Sequence, residues 1–526
     1  MRLHSGRRAV PATLAALLSV LALVLSGCTS FGDGSDEEAA ATASAPPAEA
    51  EAEPVEWTDC DADISRLIEG RPGSERDLRF ECGRTTVPIS YDDPTGDRLP
   101  LFLVRAVSAA QADRIGSLLV NPGGPGASGA DAAIGMALTL PDSVLSRFDL
   151  VGFDPRGVGS SQRVECIPDE LKDRVVAAEP RPTSDEQIDD SFALTQDIAQ
   201  ECADEYGSPA ALGVFNTVDT ARDMDLLRES LGDEQLTYLG YSYGTTLGST
   251  YAELFPEKVR ALVLDAAVDP DTDPREAAEA GAAALERGFD AFAANCTALI
   301  AGCPVGDNPR QFVEDLLNQA GQTPIPSSEE GEARQATPGV VHMAITAAMY
   351  DSRAWPQLAQ SLARARDGDS AGLFTLADSY SGRLADGGYS NLMDANLAIS
   401  CADTEQTFEA AEVRELTKQW NATYPLFGAS AALALYNCTP WEAERTPLPE
   451  RDAEGSAPIL VVGSEGDPVT PLPGAVDLAE DLTAGVLLTW QGQGHTSYPK
   501  TPCVTDTVNA YLIDLVAPVD GLTCPA

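Results

Sequence analysis

Ser242 stands between two glycines in "GYSYG", residues 240–244, directly after the short β-branched and aromatic run Leu236-Thr237-Tyr238-Leu239. Beyond Gly244, the residues Leu247, Tyr251 and Leu254 recur at helical spacing, which predicts that the serine lies where a strand turns into a helix. A turn that sharp imposes unusual backbone angles on its central residue. It also crowds strand against helix, so the positions two before and two after must be small, and Gly240 and Gly244 meet that need. The helix N-terminus behind the serine aims backbone N–H groups at the reaction centre, where they favour an oxyanion. The chemistry on offer is nucleophilic attack on an acyl carbon. In a chain with 44 glycines the same pattern also fits a plain tight turn, so its partners decide.

A serine hydroxyl needs a base to take its proton, and the base needs an acid to orient it and stabilise its cation. The chain has 3 histidines: His4, in the N-terminal leader, His342 and His495. His342 falls in the helical pattern "GVVHMAITAAMYD" and reads as a packed or surface helix residue. His495 follows the last apolar run in "LLTWQGQGHTSYP", where a glycine-rich loop can present an imidazole, and is the expected base. The acid is expected at a strand end between serine and histidine. "APILVVGSEGDPVTP" supplies Asp467 there, with Glu465 in the same turn and Asp265 at the end of an earlier strand as competitors. An oxyanion hole takes two backbone N–H groups. Tyr243 offers one, and "SLLVNPGGPGASG" the other, with Gly124 the expected donor and Gly123 and Gly126 permitting close approach. No C-x-x-C is present and histidines are few, so neither metal nor cofactor is expected.

The first residues carry three arginines, an apolar stretch too short for a comfortable membrane span, and then Leu25-Ser26-Gly27-Cys28. This predicts an extracytoplasmic protein with a signal peptide over 1–27 and Cys28 as the lipid-bearing residue of a bacterial lipobox, with lipid as the anchor, against an ordinary signal peptide with an incidental cysteine and a secreted chain. Residues 28–56 are acidic, rich in Ala and Pro and poor in large apolar residues, and read as a disordered tether. The formal charge of −48 argues against nucleic acid or anionic lipid as partners. With Cys28 set aside, the remaining cysteines are even in number, as in exported disulfide-bonded chains. Among the many possible pairings, joining near neighbours gives Cys60 with Cys82, Cys166 with Cys202, Cys296 with Cys303, Cys401 with Cys438 and Cys503 with Cys524.

Strand-like runs ("LPLFLVRAV", "GSLLVNPGG", "FDLVGFDPRG", the run before Ser242, "VRALVLDAAV", "APILVVGSEGD", "GVLLTWQGQGH") alternate with helical patterns such as the one beginning at Thr217. Alternation of this kind predicts an α/β class with a mostly parallel sheet covered on both faces. Residues 57–265 and 458–526 would build that core. Residues 266–457, rich in alanine and helical periodicity, would form an inserted second lobe, with "GQTPIPSSEEGEARQATPG" as a surface loop in it.

Taken in order, "NPGGPGASG", "GFDPRGVGSS", "GYSYGTTLG", "GSEGDPVTP" and "GQGHTSY" resemble the α/β-hydrolase serine peptidases related to prolyl iminopeptidase, and most of all the exported tripeptidyl aminopeptidases of actinomycetes. The resemblance covers residues 57–526. It implies an α/β-hydrolase fold with a large helical cap insertion, Ser242, Asp467 and His495 as the triad, and Gly124 with Tyr243 as the oxyanion hole. It also implies a peptide substrate bound by its free N-terminus and cleaved after the third residue. Prolyl iminopeptidases begin their oxyanion motif with histidine where Pro122 stands here, a departure that weakens a proline-specific reading. Asp154 and Arg156 in "FDPRG" read as a structural turn near the site, against a direct role toward substrate. Asp403, beside Cys401, is a candidate for the carboxylate that receives the ammonium, against the plainer reading of a solvated acid. Thr470 either lines the pocket or caps its turn. The rivals are an esterase or lipase using the same triad, and a non-enzymatic lipoprotein that binds exported peptides.

Overall fold

A computed structural model describes residues 50–526. The expected signal peptide, Cys28 and residues 29–49 lie outside the described residues. The strands, in chain order, are β1 (Glu56–Asp59), β2 (Leu78–Pro88), β3 (Arg98–Ser108), β4 (Gly116–Asn121), β5 (Phe148–Asp154), β6 (Leu236–Tyr241), β7 (Val259–Asp265), β8 (Ile325–Pro326), β9 (Gln335–Ala336), β10 (Ile459–Gly466), β11 (Gly485–Gln493) and β12 (Leu522–Cys524). Ten of them form one sheet in the order β1-β2-β3-β5-β4-β6-β7-β10-β11-β12. The pairs β1–β2, β2–β3 and β3–β5 are antiparallel and all later pairs are parallel. This is the α/β-hydrolase fold, a mixed sheet between helices.

The centre of the sheet is apolar on both faces because helices cover both. Leu118 and Val120 of β4 face the helices Gly129–Thr139 and Pro502–Asp514, packing with Ala133, Val504 and Val508. Leu119, one residue away and therefore on the other face, packs with Met224, Leu247 and Tyr251 of the helices Thr217–Ser230 and Tyr243–Leu254. Accordingly β4, β5 and β6 are buried along their whole lengths.

Because β4, β6, β10 and β11 run parallel, their C-terminal ends share one edge of the sheet. Gly124, Ser242, Asp467 and His495 follow those four ends, the place where parallel α/β sheets assemble sites.

Between β7 and β10 the chain forms eight α-helices, one short 3-10 helix and the β8–β9 pair, around a core of its own that includes Phe289, Phe292, Leu316, Ile345 and Leu358. The pair β8–β9 lies inside the stretch expected to be loop, where Ile325 and Ala336 are apolar enough to be buried. An earlier helix, Asp185–Tyr206, joins this helical segment by packing Ile188 and Phe192 with Phe408, Val413 and Tyr436.

Residues 50–56, expected within the tether, instead lie along the core. Ala50, Ala52 and Val55 pack on it, and Glu53 O accepts hydrogen bonds from Thr85 Oγ1 at 3.0 Å and Ser230 Oγ at 2.6 Å. The small apolar side chains among the acids give this end of the segment a face that can be buried. Among the described residues, five disulfides join the near-neighbour pairs expected from the sequence. Among the described residues no helix is long and apolar enough to cross a membrane.

Candidate active site

Ser242 adopts φ 55° and ψ −125° at the junction of β6 and the helix Tyr243–Leu254. A positive φ costs a non-glycine residue free energy of order 1–3 kcal/mol and persists where the surroundings enforce it. Here they do. A Cβ on Gly240 would lie 2.3 Å from Gly244 O, and one on Gly244 would lie 2.9 Å from Asn121 O, so only glycine lets strand and helix cross this tightly. Ser242 N donates to Asp265 O at 3.0 Å, fixing the turn to the end of β7.

The loop after β4 leans on the elbow. Gly123 N donates to Asn121 Oδ1 at 2.8 Å, and a Cβ on Gly123 would sit 2.5 Å from Tyr241 O and 2.9 Å from Ser242 Cβ. Gly124, at φ 115°, comes next, and among the described residues no acceptor takes its N–H. Asp154 braces the far side of this loop by accepting from Ser128 Oγ at 2.6 Å, Ser160 N at 2.8 Å and Ala130 N at 3.1 Å. Burial pushes the Asp154 carboxyl up, and those three bonds pull against it. Arg156 is wholly buried, with its guanidinium on Asp223 at 2.7 and 2.8 Å and on the carbonyls of Pro88, Ile89 and Val214. "FDPRG" therefore holds the fold near the site, as its sequence suggests.

At the other end of the edge, His495 Nδ1 lies 3.0 and 3.1 Å from the two carboxylate oxygens of Asp467. Asp467 also accepts from Val469 N and Thr470 N, each at 2.9 Å, and from Thr470 Oγ1 at 3.1 Å. With Asp467 4 % and His495 8 % exposed, these bonds act where water competes little. Thr470 Oγ1 also lies 3.3 Å from His495 Nδ1, so this threonine both caps the turn and touches the Asp467–His495 pair.

The competitor acids have other partners. Glu465 is exposed beside Gln491. Asp265 is fully buried and accepts from Ser497 N at 3.0 Å and Tyr498 N at 2.7 Å. Burial pushes its carboxyl up to about 6, partly offset by those bonds. Asp265 thus ties the loop carrying His495 to the strand end that holds Ser242. His342 lies in the helix Pro338–Met349 with its ring 5.2 Å from that of Phe427. Among the described residues no hydrogen bond joins Ser242 Oγ to the His495 ring. Contacts of this kind are often long before substrate binds.

Three residues without a sequence signal reach the site from the helical segment or its neighbours. Tyr350 O accepts from His495 N at 2.9 Å, and its ring stands edge-on to the imidazole at 5.1 Å. Asn396 Nδ2 donates to Pro125 O at 3.1 Å, next to Gly124. Thr217 donates from N and Oγ1 to Asp403 at 2.8 and 2.7 Å, while its hydroxyl shares a short hydrogen bond with the Tyr243 phenol. Elsewhere, Asp269, Asp271 and Asp481 bring carboxylate oxygens within 4.8 Å of one another, but two of the three are exposed and Arg451 pairs with Asp271 at 3.0 Å. We assign no ion there.

An α/β hydrolase fold family model matches residues 116–323, and a model described as TAP-like protein matches residues 424–524. The chain is 37 % identical over 524 residues to serine protease Hip1 of Mycobacterium tuberculosis, covering 97 % of this chain and 96 % of that one. It is 36 % identical over 487 residues to a carboxylesterase B of the same species, covering 89 % of each. To the tripeptidyl aminopeptidase of Streptomyces coelicolor it is 29 % identical over 486 residues, 89 % of this chain and 86 % of that one. The chain belongs to the α/β-hydrolase serine peptidases.

Proposed function

We propose that this protein is an exported serine aminopeptidase that releases short peptides, tripeptides above all, from free N-termini through an acyl-enzyme. The observation that carries this reading is His495 Nδ1 held between both oxygens of Asp467, on the strand edge that also presents Ser242 in a strained turn. In the reaction, His495 Nε2 takes the Ser242 proton as Oγ attacks the carbonyl carbon of the third residue. Asp467 keeps the other ring nitrogen protonated and stabilises the imidazolium, and the N–H groups of Gly124 and Tyr243 receive the oxyanion. Collapse breaks the C–N bond, and His495 returns its proton to the leaving amine. Water, deprotonated by the same histidine, then splits the ester and restores Ser242.

Export is supported by the leader and by five disulfides, which persist in oxidising compartments. Cys28 would carry the lipid that holds the enzyme at the membrane, and peptides would be its partners rather than nucleic acid. An esterase is the second reading, favoured by the relative named carboxylesterase B. Brief exposure to a free tripeptide p-nitroanilide, acid quench and mass spectrometry tests the mechanism: the tripeptidyl mass on Ser242 is expected, and acylation of another residue or none overturns it.

A further inference from the structure

The two N–H groups that would receive the oxyanion are held in different ways. That of Tyr243 shares a peptide plane with Ser242 O, and this oxygen accepts from Thr245 N at 2.8 Å and from Thr245 Oγ1 at 2.6 Å. A peptide unit is planar, so the helix behind the nucleophile fixes this donor by itself. The N–H of Gly124 shares its plane with Gly123 O, which among the described residues takes a single bond, from Ala127 N at 3.3 Å. Such a bond is longer than the usual range of about 2.7–3.2 Å and correspondingly weak. The main chain of residues 124–127 makes one further hydrogen bond among the described residues, accepted by Pro125 O from Asn396 Nδ2 at 3.1 Å. Gly126 lies so near the helix Leu392–Asp403 that a Cβ on it would stand 2.9 Å from Asn396 N and 3.0 Å from Leu392 O. Asn121 ties down the start of the turn through Gly123 N, and Asp154 the helix after it through Ala130 N. Its middle takes its place from Asn396 and the helix that carries it.

That helix is a firm support. Just before it, Asn391 Nδ2 donates to Gly157 O at 2.7 Å and Val164 O at 2.8 Å, and its Oδ1 accepts from Gly159 N at 3.0 Å. In its first turn Asp394 pairs with Lys172 at 2.7 Å and accepts from Cys166 N at 2.9 Å and Ile167 N at 2.7 Å. At its last residue Asp403 accepts from Thr217 N and Oγ1, and the Thr217 hydroxyl bonds the Tyr243 phenol. The disulfide Cys401–Cys438 fastens the same end. One helix thus rests on the residue after the nucleophile at one end and on the turn of Gly124 nearer the other. Asn396 and Gly124 are themselves exposed, so the bond from Asn396 to Pro125 O fills no core.

We propose that Asn396 is a positioning residue for the oxyanion hole: by holding Pro125 O it sets the turn after β4 so that the Gly124 N–H converges with that of Tyr243. This rests on the acyl-enzyme reading above. The hole acts on charge that develops as Ser242 attacks. A displaced Gly124 N–H therefore slows the chemical step and leaves binding of the uncharged carbonyl alone. Loss of an entire oxyanion donor costs about 100–1000-fold in kcat, and a donor that is present but displaced costs a part of that, about 10-fold.

The test compares purified wild type, Asn396→Ala and Asn396→Asp on free trialanine p-nitroanilide and on p-nitrophenyl acetate. Two inhibitors accompany them: trialanine aldehyde, whose adduct with Ser242 Oγ puts an oxyanion in the hole, and trialanine, the released product, which does not. In Asn396→Ala, kcat falls by about 10-fold on both substrates and the aldehyde binds about 10-fold more weakly, while KM and the affinity for trialanine hold. The urea midpoint stays where it is, as for an exposed side chain. Asn396→Asp keeps the shape but turns an oxygen on Pro125 O in place of an N–H, and loses more. Unchanged kcat and aldehyde affinity in both variants overturn the inference. A rise in KM with kcat intact makes Asn396 a substrate contact and overturns it too. Equal weakening of aldehyde and trialanine with a lower urea midpoint is the mark of a merely structural role and does the same. Wild type that hydrolyses the acetate and leaves the anilide untouched overturns the aminopeptidase reading instead, and kcat on the acetate then decides the role of Asn396.

Discussion

His342 gives the helical segment an acid-sensitive point whose size follows from its surroundings. Among the described residues its Nε2 is buried with no hydrogen-bond partner, and burial pushes its pKa from 6.5 down to about 4, against a weaker upward pull from the Leu426 backbone. The folded value lies below the unfolded one, so as the pH falls the unfolded chain binds the proton first. The stability associated with this residue is complete above about 6.5 and is lost as the pH falls toward about 4. The difference in pKa sets a ceiling of about 3 kcal/mol. Because the residue keeps some accessible surface, about 2 kcal/mol is expected after screening. Wild type alone cannot report this. The Asp265 and Asp403 carboxyls, pushed up to about 6 and about 7, bind protons on folding in the same window and act in the opposite sense. The measurement is therefore a difference: urea denaturation of wild type and His342→Leu, disulfides intact, from pH 4 to 7.5. His342→Leu should gain about 2 kcal/mol relative to wild type between pH 7 and pH 4. Parallel curves would refute the reasoning.

Thr470→Val removes the hydroxyl that holds Asp467 at 3.1 Å beside the imidazole, a charge-assisted bond of about 1.5–3 kcal/mol. Steady-state kinetics should show kcat down by about 10–100-fold with KM little changed and Thr470→Ser largely restored; an unaltered kcat would contradict this. Gly240→Ala drives a Cβ to 2.3 Å from Gly244 O and 2.6 Å from Tyr238 Cε1. A loss of about 3 kcal/mol in urea denaturation and of Ser242 labelling by a fluorophosphonate is expected, since both contacts are with the packed elbow; an alanine variant that labels normally would show the elbow to be looser than described.

The central strands were legible because parallel strands buried on both faces read as continuous apolar runs, and "SLLV", "FDLVGF" and "ILVV" do. Strands β1, β2 and β12 left no such trace. In β2 the charged Arg79 and Glu81 flank the buried Phe80, because one face of this antiparallel strand meets water. His495 was singled out by the scarcity of histidine and Asp467 by chain order, and the two side chains meet at 3.0 and 3.1 Å. The role of Asp265 was not legible, since a strand-end aspartate looks the same in sequence whether it faces an imidazole or the two N–H groups of Ser497 and Tyr498. Thr217, Asn396 and Tyr350 were out of reach for another reason. Thr217 meets Asp403 across 186 positions of chain, a contact that exists only once the helical segment folds back over the sheet edge.

The most direct measurement is fluorophore release from tripeptide anilides, with free and N-acetylated amines, by purified wild type and Ser242→Ala. Turnover by wild type that disappears in Ser242→Ala and collapses on acetylation is expected of a serine aminopeptidase. Turnover that survives Ser242→Ala would contradict the assignment of the nucleophile, and turnover that survives acetylation would place the enzyme among endopeptidases or esterases instead.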